Sequence, residues 1–386
     1  MEKISKIFAR EILDSRGDPT IEVELATDKR NVISSVPSGK SVGSHEAVEL
    51  RDQDPSRFGG MGVLKAIESV NSKIAPVLVN QNIENQKAID NLLLQLDQTP
   101  HKSKLGANAI LGVSMAVCKA TAQAAGKPLY YYISQISANN NLKIPFPMFK
   151  FIDGAKHAGN NLEIQEYMAV LKEERFSESY RKSSEMIHRL KSTLKDKGFG
   201  IGVGDEGGFA PMIPSDKDAL DLMMSLEDVK IALDMAGVVP EKLPIETIIS
   251  QYPIVSLEDP AGEDDFFNWA NLTQKYSDKI MLVGDDVFAT NSERLNKGFE
   301  LHLANAVLVK PNQIGTVTEA VEFVGLAQKN NYKVVVSHRS GETEDTFIAD
   351  FAVGVGADYV KFGAPIRGER VCKYNRLLRI EESLSD

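Results

Sequence analysis

The chain has 386 residues, of which 42% are hydrophobic and 25% are charged, and its formal net charge is −10. These proportions are typical of a globular protein with a buried core, and the length allows two domains. The negative charge disfavours a surface for nucleic acid or anionic membranes, because phosphate groups attract basic faces. With only two cysteines, no signal-like segment after Met1 and no apolar run long enough to span a membrane, we expect a cytoplasmic protein.

The first part of the chain predicts a compact α+β domain over residues 1–135. Strand-like text, KISKIFAREIL and TIEVELAT, is divided by a turn signal at residues 14–19. Helical patterns follow at residues 62–78, 85–97 and 106–126. The polar and proline-bearing text ISANNNLKIPFP then predicts a linker.

A structural period begins after the linker, over residues 140–386. Short apolar runs end in a charged residue or an imidazole, and helical text follows each of them. The final residues of these runs are Glu206, Asp234, Glu258, Asp285, Lys310, His338 and Lys361. Subtraction of their numbers gives steps of 28, 24, 27, 25, 28 and 23 residues. Because a (β/α)8 barrel of roughly 250 residues has units of about this length, we predict such a barrel with these side chains at its C-terminal mouth.

The residue types at this mouth indicate a metal-assisted proton transfer. Asp234, Glu258 and Asp285 would offer oxygen ligands from three successive strands, as Mg²⁺ prefers. Lys310 and Lys361 would lie across the barrel, where a lysine near other cations can become a base. A metal beside a base is what removal of a proton next to a carboxylate requires.

Three further residues extend this interpretation. Glu206 could protonate a leaving hydroxyl, and Arg339 and Ser340 in SHRSGETED could bind a phosphate. A single carboxylate at a strand end is often only a helix cap or a solvated charge. Seven such groups in phase are harder to explain structurally, because clustered charges cost desolvation energy unless they pair or bind a ligand.

Ten segments along nearly the whole chain carry specific motifs: EILDSRGDPTIEVEL, PSGKSVGSHEAVELRD, KLGANAILGVSMA, HAGNNLEIQEYM, GVGDEGG, VSLEDP, LVGDD, VKPNQIGT, SHRSGETEDT and KYNRLLRIEE. In these segments the sequence resembles the enolase family, from about residue 3 to residue 382. The resemblance implies an α/β fold with a β3α4-like N-terminal domain, residues 1–135, and an enolase-type βα barrel catalytic domain, residues 140–386.

The resemblance also implies an activity and an assembly. The activity is the reversible, magnesium-dependent dehydration of 2-phospho-D-glycerate to phosphoenolpyruvate in glycolysis and gluconeogenesis. Two Mg²⁺ ions would occupy each active site when the phosphorylated substrate is bound. Glu22 and Arg379 match residues that pair across the family's dimer, so we expect a homodimer or an oligomer of dimers.

The same resemblance assigns roles to individual residues. Lys310 is implied to remove the carbon-bound proton, and Glu206, assisted by Glu166, to protonate the departing hydroxyl. The other implied site residues are Asp234, Glu258 and Asp285 for the first magnesium, Ser41 for the second, His157 and Lys361 for contacts with the reacting substrate, Gln165 for the site lining, and His338, Arg339 and Ser340 for the phosphate.

The chain departs from the family pattern at positions near the implied site. Lys40 and Val42 stand where Ala and Thr are usual in the loop around Ser41. On the first barrel strand, Lys150 and Asp153 replace two asparagines, followed by Ala155 in place of glycine. The chain is also shorter than typical members, around residues 171–184, 212–230 and 236–247. These changes concern rate and substrate fit more than the class of reaction.

Two other functions remain open from the sequence. The protein could be a related lyase or epimerase that acts on a different carboxylate, which Lys40 and the altered first strand slightly favour. It could also be a non-catalytic scaffold or surface adhesin, which the intact set of acid, base and metal ligands disfavours. The text SHRSGETED and Ser41 favour the phosphorylated substrate over other carboxylates.

Overall fold

The computed structural model describes residues 2–40, 43–226 and 229–385. The chain forms two compact units: the first comprises Met1–Lys143, Lys310–Leu326 and Arg339–Gly356, and the second comprises Ile144–Val309, Ala327–His338 and Ala357–Asp386. The predicted division into domains of residues 1–135 and 140–386 stays a prediction.

The strands of the described chain are β1 (Ile4–Leu13), β2 (Pro19–Thr27), β3 (Asn31–Ser35), β4 (Phe146–Asp153), β5 (Glu166–Val170), β6 (Lys230–Asp234), β7 (Ile254–Glu258), β8 (Met281–Gly284), β9 (Ala306–Val309), β10 (Lys333–Ser337) and β11 (Tyr359–Lys361). The first three belong to the first unit, and the other eight belong to the second.

The helices are α1 (Leu64–Glu68), α2 (Ala75–Leu78), α3 (Gln86–Asp97), α4 (Ala107–Ala124), α5 (Leu129–Ile136), α6 (Phe176–Asp196), α7 (Asp216–Met224), α8 (Ile245–Gln251), α9 (Phe266–Tyr276), α10 (Ser292–Leu301), α11 (Pro311–Ile314), α12 (Val317–Lys329), α13 (Phe347–Gly354) and α14 (Gly368–Ser385). A π-helical stretch, Ser69–Ile74, joins α1 to α2, and short 3₁₀ turns lie at Phe58–Gly60 and Ala155–His157. Within the described residues, no single helix has the length and apolar character needed to cross a membrane, although α4 and α5 pass that test as a pair that is bent by 107° at the break between them.

An antiparallel sheet in the order β1-β2-β3 forms the centre of the first unit. Helix α4 packs on β2 and β3 and is buried along almost its whole length. Gly112 allows this close approach, because a Cβ at that position would lie 2.7 Å from a methyl group of Val23. The Ser34 hydroxyl donates to the Gly112 carbonyl at 2.5 Å and fixes the contact.

The turn between β1 and β2 is organised by Asp14. Its carboxylate accepts hydrogen bonds from the backbone N–H groups of Arg16 and Asp18, at 2.8 and 3.0 Å. Gly17 has a φ of +82°, a conformation that most side chains disfavour. The strand–turn–strand pattern read from the sequence is therefore confirmed.

In the described part of the second unit, strands β4 to β11 close into an eight-stranded barrel. Strand β5 runs antiparallel to both β4 and β6, whereas the other neighbours in the barrel are parallel. The prediction of a (β/α)8-type barrel with a smaller α+β portion is confirmed. Because β5 is reversed, its first residue, Glu166, lies at the same mouth as the last residues of the parallel strands.

The prediction that the segment IGVGDE forms a barrel strand is wrong. Residues 201–206 form a loop, in which Val203 makes only an isolated bridge with Phe209 and the Gly204 N–H donates to the Gly208 carbonyl at 2.9 Å. The barrel is completed by the reversed β5 instead, so Glu206 reaches its position from a loop and not from a strand end.

Helices α6 and α14 cover the outside of β4. Phe149 packs on Tyr374 of α14, with ring centroids 4.9 Å apart, and Tyr374 packs on Tyr180 of α6 at 5.4 Å. Side chains alternate across a strand, so the burial of Phe149 on the outer face directs the next residue, Lys150, into the barrel. This alternation brings a lysine to the interior of the second unit.

Candidate active site

Four of the predicted site residues lie at strand ends in the second unit. Asp234, Glu258 and Lys361 are the last residues of β6, β7 and β11, and Asp285 directly follows β8. All four are buried. The spacing read from the sequence therefore located these side chains correctly.

Lys361 lies among the carboxylates of this cluster. Its ammonium donates to both carboxylate oxygens of Glu258 at 2.7 Å, and it lies 3.4 Å from Asp234 and 3.2 Å from Glu166. Burial opposes the positive charge, but the three carboxylates outweigh it and hold the pKa of Lys361 well above its usual value. In this arrangement Lys361 is a fixed cation rather than a base.

The carboxylates of Asp234, Glu258 and Asp285 are hard oxygen donors, the type of ligand that suits a hard divalent cation. Burial, and after it the charges of Asp234 and Asp285, raise the pKa of Glu258 well above its usual value despite Lys361. Buried carboxylates that repel one another are the oxygen donors that Mg²⁺ prefers. The assignment of these three residues to a magnesium ion stays a prediction. Gln165 lies beside them and donates to Asp234 Oδ2 at 3.1 Å.

Asp259 supports the loop that carries Asp285. Its two carboxylate oxygens accept hydrogen bonds from the backbone N–H groups of Asp285 and Asp286, both at 2.9 Å. One carboxylate oxygen from each of Asp259, Asp285 and Asp286 lies within 4.8 Å of the others. The sequence interpretation did not use Asp259, although it directly follows Glu258 in the motif VSLEDP.

A second cluster in the same unit contains the predicted acids, Glu166 and Glu206. The ammonium of Lys150 lies 2.8 Å from Glu166 Oε1 and in still closer contact with Glu206 Oε2. His157 Nε2 lies 3.6 Å from the other oxygen of Glu206, and its Nδ1 lies 3.4 Å from Glu166. Burial is the main reason why the pKa of His157 is lowered to about 4, so its imidazole is neutral at neutral pH.

His338 also belongs to this second cluster. Arg370 donates from Nη1 to His338 Nδ1 at 2.7 Å, which leaves the proton of the neutral ring on Nε2, 3.0 Å from Glu206 Oε2. Burial, more than any other effect, lowers the pKa of His338 well below its usual value. The family pattern implies a phosphate contact for His338, but here its two nitrogens face Arg370 and Glu206. Arg370, fully buried on α14, had no local sequence motif that marked it as a site residue.

The environments of the two acids separate their pKa values. Burial raises the pKa of Glu166 to about 7, although Lys150 and Lys361 oppose this shift. Burial acts in the same sense on Glu206, but its interactions with His157, His338 and Lys150 outweigh burial and hold that pKa well below its usual value. A pair of carboxyl groups with separated pKa values is typical of sites that use one group as a proton donor.

The remaining predicted residues lie in the first unit or outside the described chain. Lys310 directly follows β9 and precedes α11, and it is half-buried. The guanidinium of Arg339 forms a two-point ion pair with Glu46, at 2.8 and 3.1 Å, and donates to Asn312 at 2.9 Å. Ser340 is buried beside it in the chain. Ser41, the implied ligand of a second magnesium, lies outside the described residues, as does Val42.

Comparison with known protein families identifies the chain along most of its length. The family model for the enolase N-terminal domain matches residues 4–133, and the one for the enolase C-terminal TIM barrel domain matches residues 141–240 and 241–386. The enolase family is in general magnesium-dependent, and the group Asp259, Asp285 and Asp286 is an acidic cluster that could hold a metal ion. The chain belongs to the enolase family.

Proposed function

We propose that this protein is a phosphopyruvate hydratase, which converts 2-phospho-D-glycerate to phosphoenolpyruvate and water in glycolysis, and the reverse in gluconeogenesis. The observation that carries this proposal is that one residue, Lys361, contacts both buried clusters. Lys361 contacts the metal-ligand candidates Asp234 and Glu258 and also the acid candidate Glu166. A metal centre next to a proton donor is what the dehydration of a hydroxycarboxylate needs.

In the proposed reaction, Lys310 removes the proton from the carbon next to the substrate carboxylate. Magnesium held by Asp234, Glu258 and Asp285, with a second ion at Ser41, would supply the positive charge that makes this proton acidic enough to remove. Lys361 would add a fixed positive charge beside the enediolate, which supports the same step.

The hydroxyl group then leaves from the neighbouring carbon and takes a proton from the carboxyl pair, Glu206 and Glu166. A pKa of about 7 lets Glu166 carry a proton near neutral pH. His157 and Gln165 line this part of the site, and Arg339 and Ser340 are proposed to bind the phosphate. Arg339 would then exchange part of its pairing with Glu46 for the substrate phosphate.

An enzyme assay tests the proposal directly. Purified protein with Mg²⁺ should convert 2-phosphoglycerate to phosphoenolpyruvate, followed by its ultraviolet absorbance, and a chelator should stop the reaction. A related lyase or epimerase would show no product here but would turn over another hydroxycarboxylate. A scaffold protein would turn over neither substrate. A cytoplasmic location and a homodimer are further parts of the proposal.

A further inference from the structure

Lys150 lies at the centre of the acid cluster and is completely buried, with 0% of its surface exposed. Its ammonium contacts Glu206 Oε2 most closely, then Glu166 Oε1 at 2.8 Å, Asp153 Oδ1 at 3.1 Å and His157 Nδ1 at 3.2 Å. An ammonium group has three N–H donors, so Glu206, Glu166 and His157 already match its capacity, and Asp153 adds a nearby opposite charge. One lysine therefore joins both predicted acids.

The charge of this lysine is fixed by its surroundings. Burial disfavours an ammonium ion, but the carboxylates of Asp153, Glu166 and Glu206 outweigh burial and raise the pKa of Lys150. Without this cation the two acids, whenever both are ionised, would be buried like charges, which repel strongly in a poorly screened interior. With Lys150 present, both carboxylates are instead attracted to the same ammonium group.

Asp153 balances the added charge on the same strand. It is completely buried, and the structure makes room for its carboxylate at Gly204, where a Cβ would lie 2.5 Å from Asp153 Oδ2. Lys150 and Asp153 together add no net charge to the barrel interior. This compensation explains how a lysine can be buried next to catalytic carboxylates without creating an unpaired charge.

The spacing of Asp153, His157 and Glu206 would otherwise be compatible with a metal ion, since one ligand atom of each lies within 4.8 Å of the others. However, the ammonium of Lys150 already contacts a side-chain atom of all three residues. Lysine therefore takes the position of a cation at this end of the site. A purely structural ion pair would not need to join the two acids.

We propose that Lys150 is a positioning residue for the protonation of the leaving hydroxyl, because its ammonium holds the carboxyl groups of Glu166 and Glu206 at one fixed distance from each other. This inference rests on the proposed dehydratase function. Lys150 acts through the two acids and not on the reacting atoms. Its removal should therefore impair the departure of the hydroxyl and leave the earlier removal of the carbon-bound proton intact.

This role can be tested with two variants that differ from each other only at residue 150. Asp153→Asn keeps Lys150 with both acids, whereas the double variant Lys150→Met, Asp153→Asn removes the ammonium and its balancing charge together and fills the space with a side chain of similar shape. Relative to Asp153→Asn, the double variant should lose roughly 100-fold in kcat for dehydration, the scale of one acid–base contribution. Exchange of the carbon-bound proton with solvent deuterium, and KM, should change less than about threefold.

A crystal structure of each variant supplies a readout that does not depend on the activity. In the double variant the carboxyl groups of Glu166 and Glu206 should move apart, whereas in Asp153→Asn they should keep their positions. Unmoved carboxyl groups in the double variant would overturn the proposal, and so would an equal loss of exchange and dehydration. If the wild-type protein makes no phosphoenolpyruvate, the proposed function fails, and the two crystal structures still decide whether Lys150 positions the acids.

Discussion

The ammonium of Lys361 lies 2.7 Å from each carboxylate oxygen of Glu258. It also lies 3.4 Å from Asp234, so it neutralises two of the three candidate metal ligands. A cation that binds these carboxylates takes over part of this neutralisation. The metal-free and metal-bound proteins should therefore depend on Lys361 to different degrees.

Lys361→Met should destabilise the chelator-treated protein more than the magnesium-loaded one. Loss of one partner from a buried ion pair costs about 3 kcal/mol, and bound Mg²⁺ should offset part of that loss. Thermal unfolding with chelator and with Mg²⁺ should show a larger magnesium-dependent rise in Tm for the variant than for the wild type. Lys102→Met is the control, since Lys102 is a buried lysine that pairs with Glu319 at 2.9 Å. Equal magnesium shifts in all three proteins would contradict the prediction.

Asp285→Ala should abolish the binding of Mg²⁺ to chelator-treated protein, because it removes one of the three proposed oxygen donors. Isothermal titration calorimetry measures this binding without any substrate. Asp278→Asn, an exposed carboxylate that follows α9, should bind Mg²⁺ like the wild type. Undiminished binding in Asp285→Ala would remove this residue from the set of ligands.

The strand ends could be predicted because each parallel βα unit repeats at nearly constant length. Asp234 and Glu258 follow directly from that period. The same period placed Glu206 on a strand, although it lies in a loop, because a reversed β5 has no signature in hydrophobic spacing. Glu166 was found only through the family resemblance, since the first residue of an antiparallel strand does not end an apolar run.

The contacts of Lys150 could not be predicted from the sequence. The replacement of asparagine by lysine was visible, and the alternation along β4 is compatible with an inward side chain. Its partners, Glu166 and Glu206, come from another strand and from a loop, so their convergence depends on the closed barrel. The same holds for Arg370, which reaches His338 from the last helix.

Lys310→Ala and Glu206→Gln should separate the two chemical steps. Lys310→Ala should lose the exchange of the carbon-bound proton of 2-phosphoglycerate with solvent deuterium, because that lysine is the proposed base. Glu206→Gln should retain part of the exchange and lose dehydration by about 100-fold or more, because it acts on the later step. Nuclear magnetic resonance follows the exchange, and ultraviolet absorbance follows the product. Equal loss of exchange in both variants would show that the roles are wrongly divided.

Arg379→Glu should weaken the proposed homodimer. Glu22 accepts a hydrogen bond from Arg10 within its own chain at 2.7 Å, so its replacement would disturb the N-terminal sheet as well. Arg379 is exposed on α14, so it offers the cleaner test. Light scattering should report a dimer for the wild type and for the control Lys195→Glu, which reverses an exposed charge on α6, but more monomer for Arg379→Glu. A monomeric wild type would end the dimer proposal.

Glu166→Gln should reduce the loss of stability that occurs as the pH rises from 5 to 8. The pKa of Glu166 is raised from 4.5 to about 7 by burial, so the folded protein holds a proton that the unfolded chain releases between these values. The stabilisation from this proton is present at low pH and is lost as the pH rises through 7, which corresponds to up to about 3 kcal/mol. Glutamine does not titrate. The variant should therefore lack this contribution to the slope of the free energy of unfolding against pH.

Urea denaturation at pH 5 and at pH 8, with chelator present, measures the change in the free energy of unfolding for each protein. Other buried groups also titrate in this range: Asp153, with a pKa raised to about 6 by burial, changes stability in the same direction, and His157 changes it in the opposite direction. Both groups remain in the variant, so the difference from the wild type measures the contribution of Glu166 together with its coupling to these neighbours. The exposed Glu174→Gln should keep the wild-type slope. If Glu166→Gln kept it as well, Glu166 would be ionised throughout, and a different group would have to carry the proton for the leaving hydroxyl.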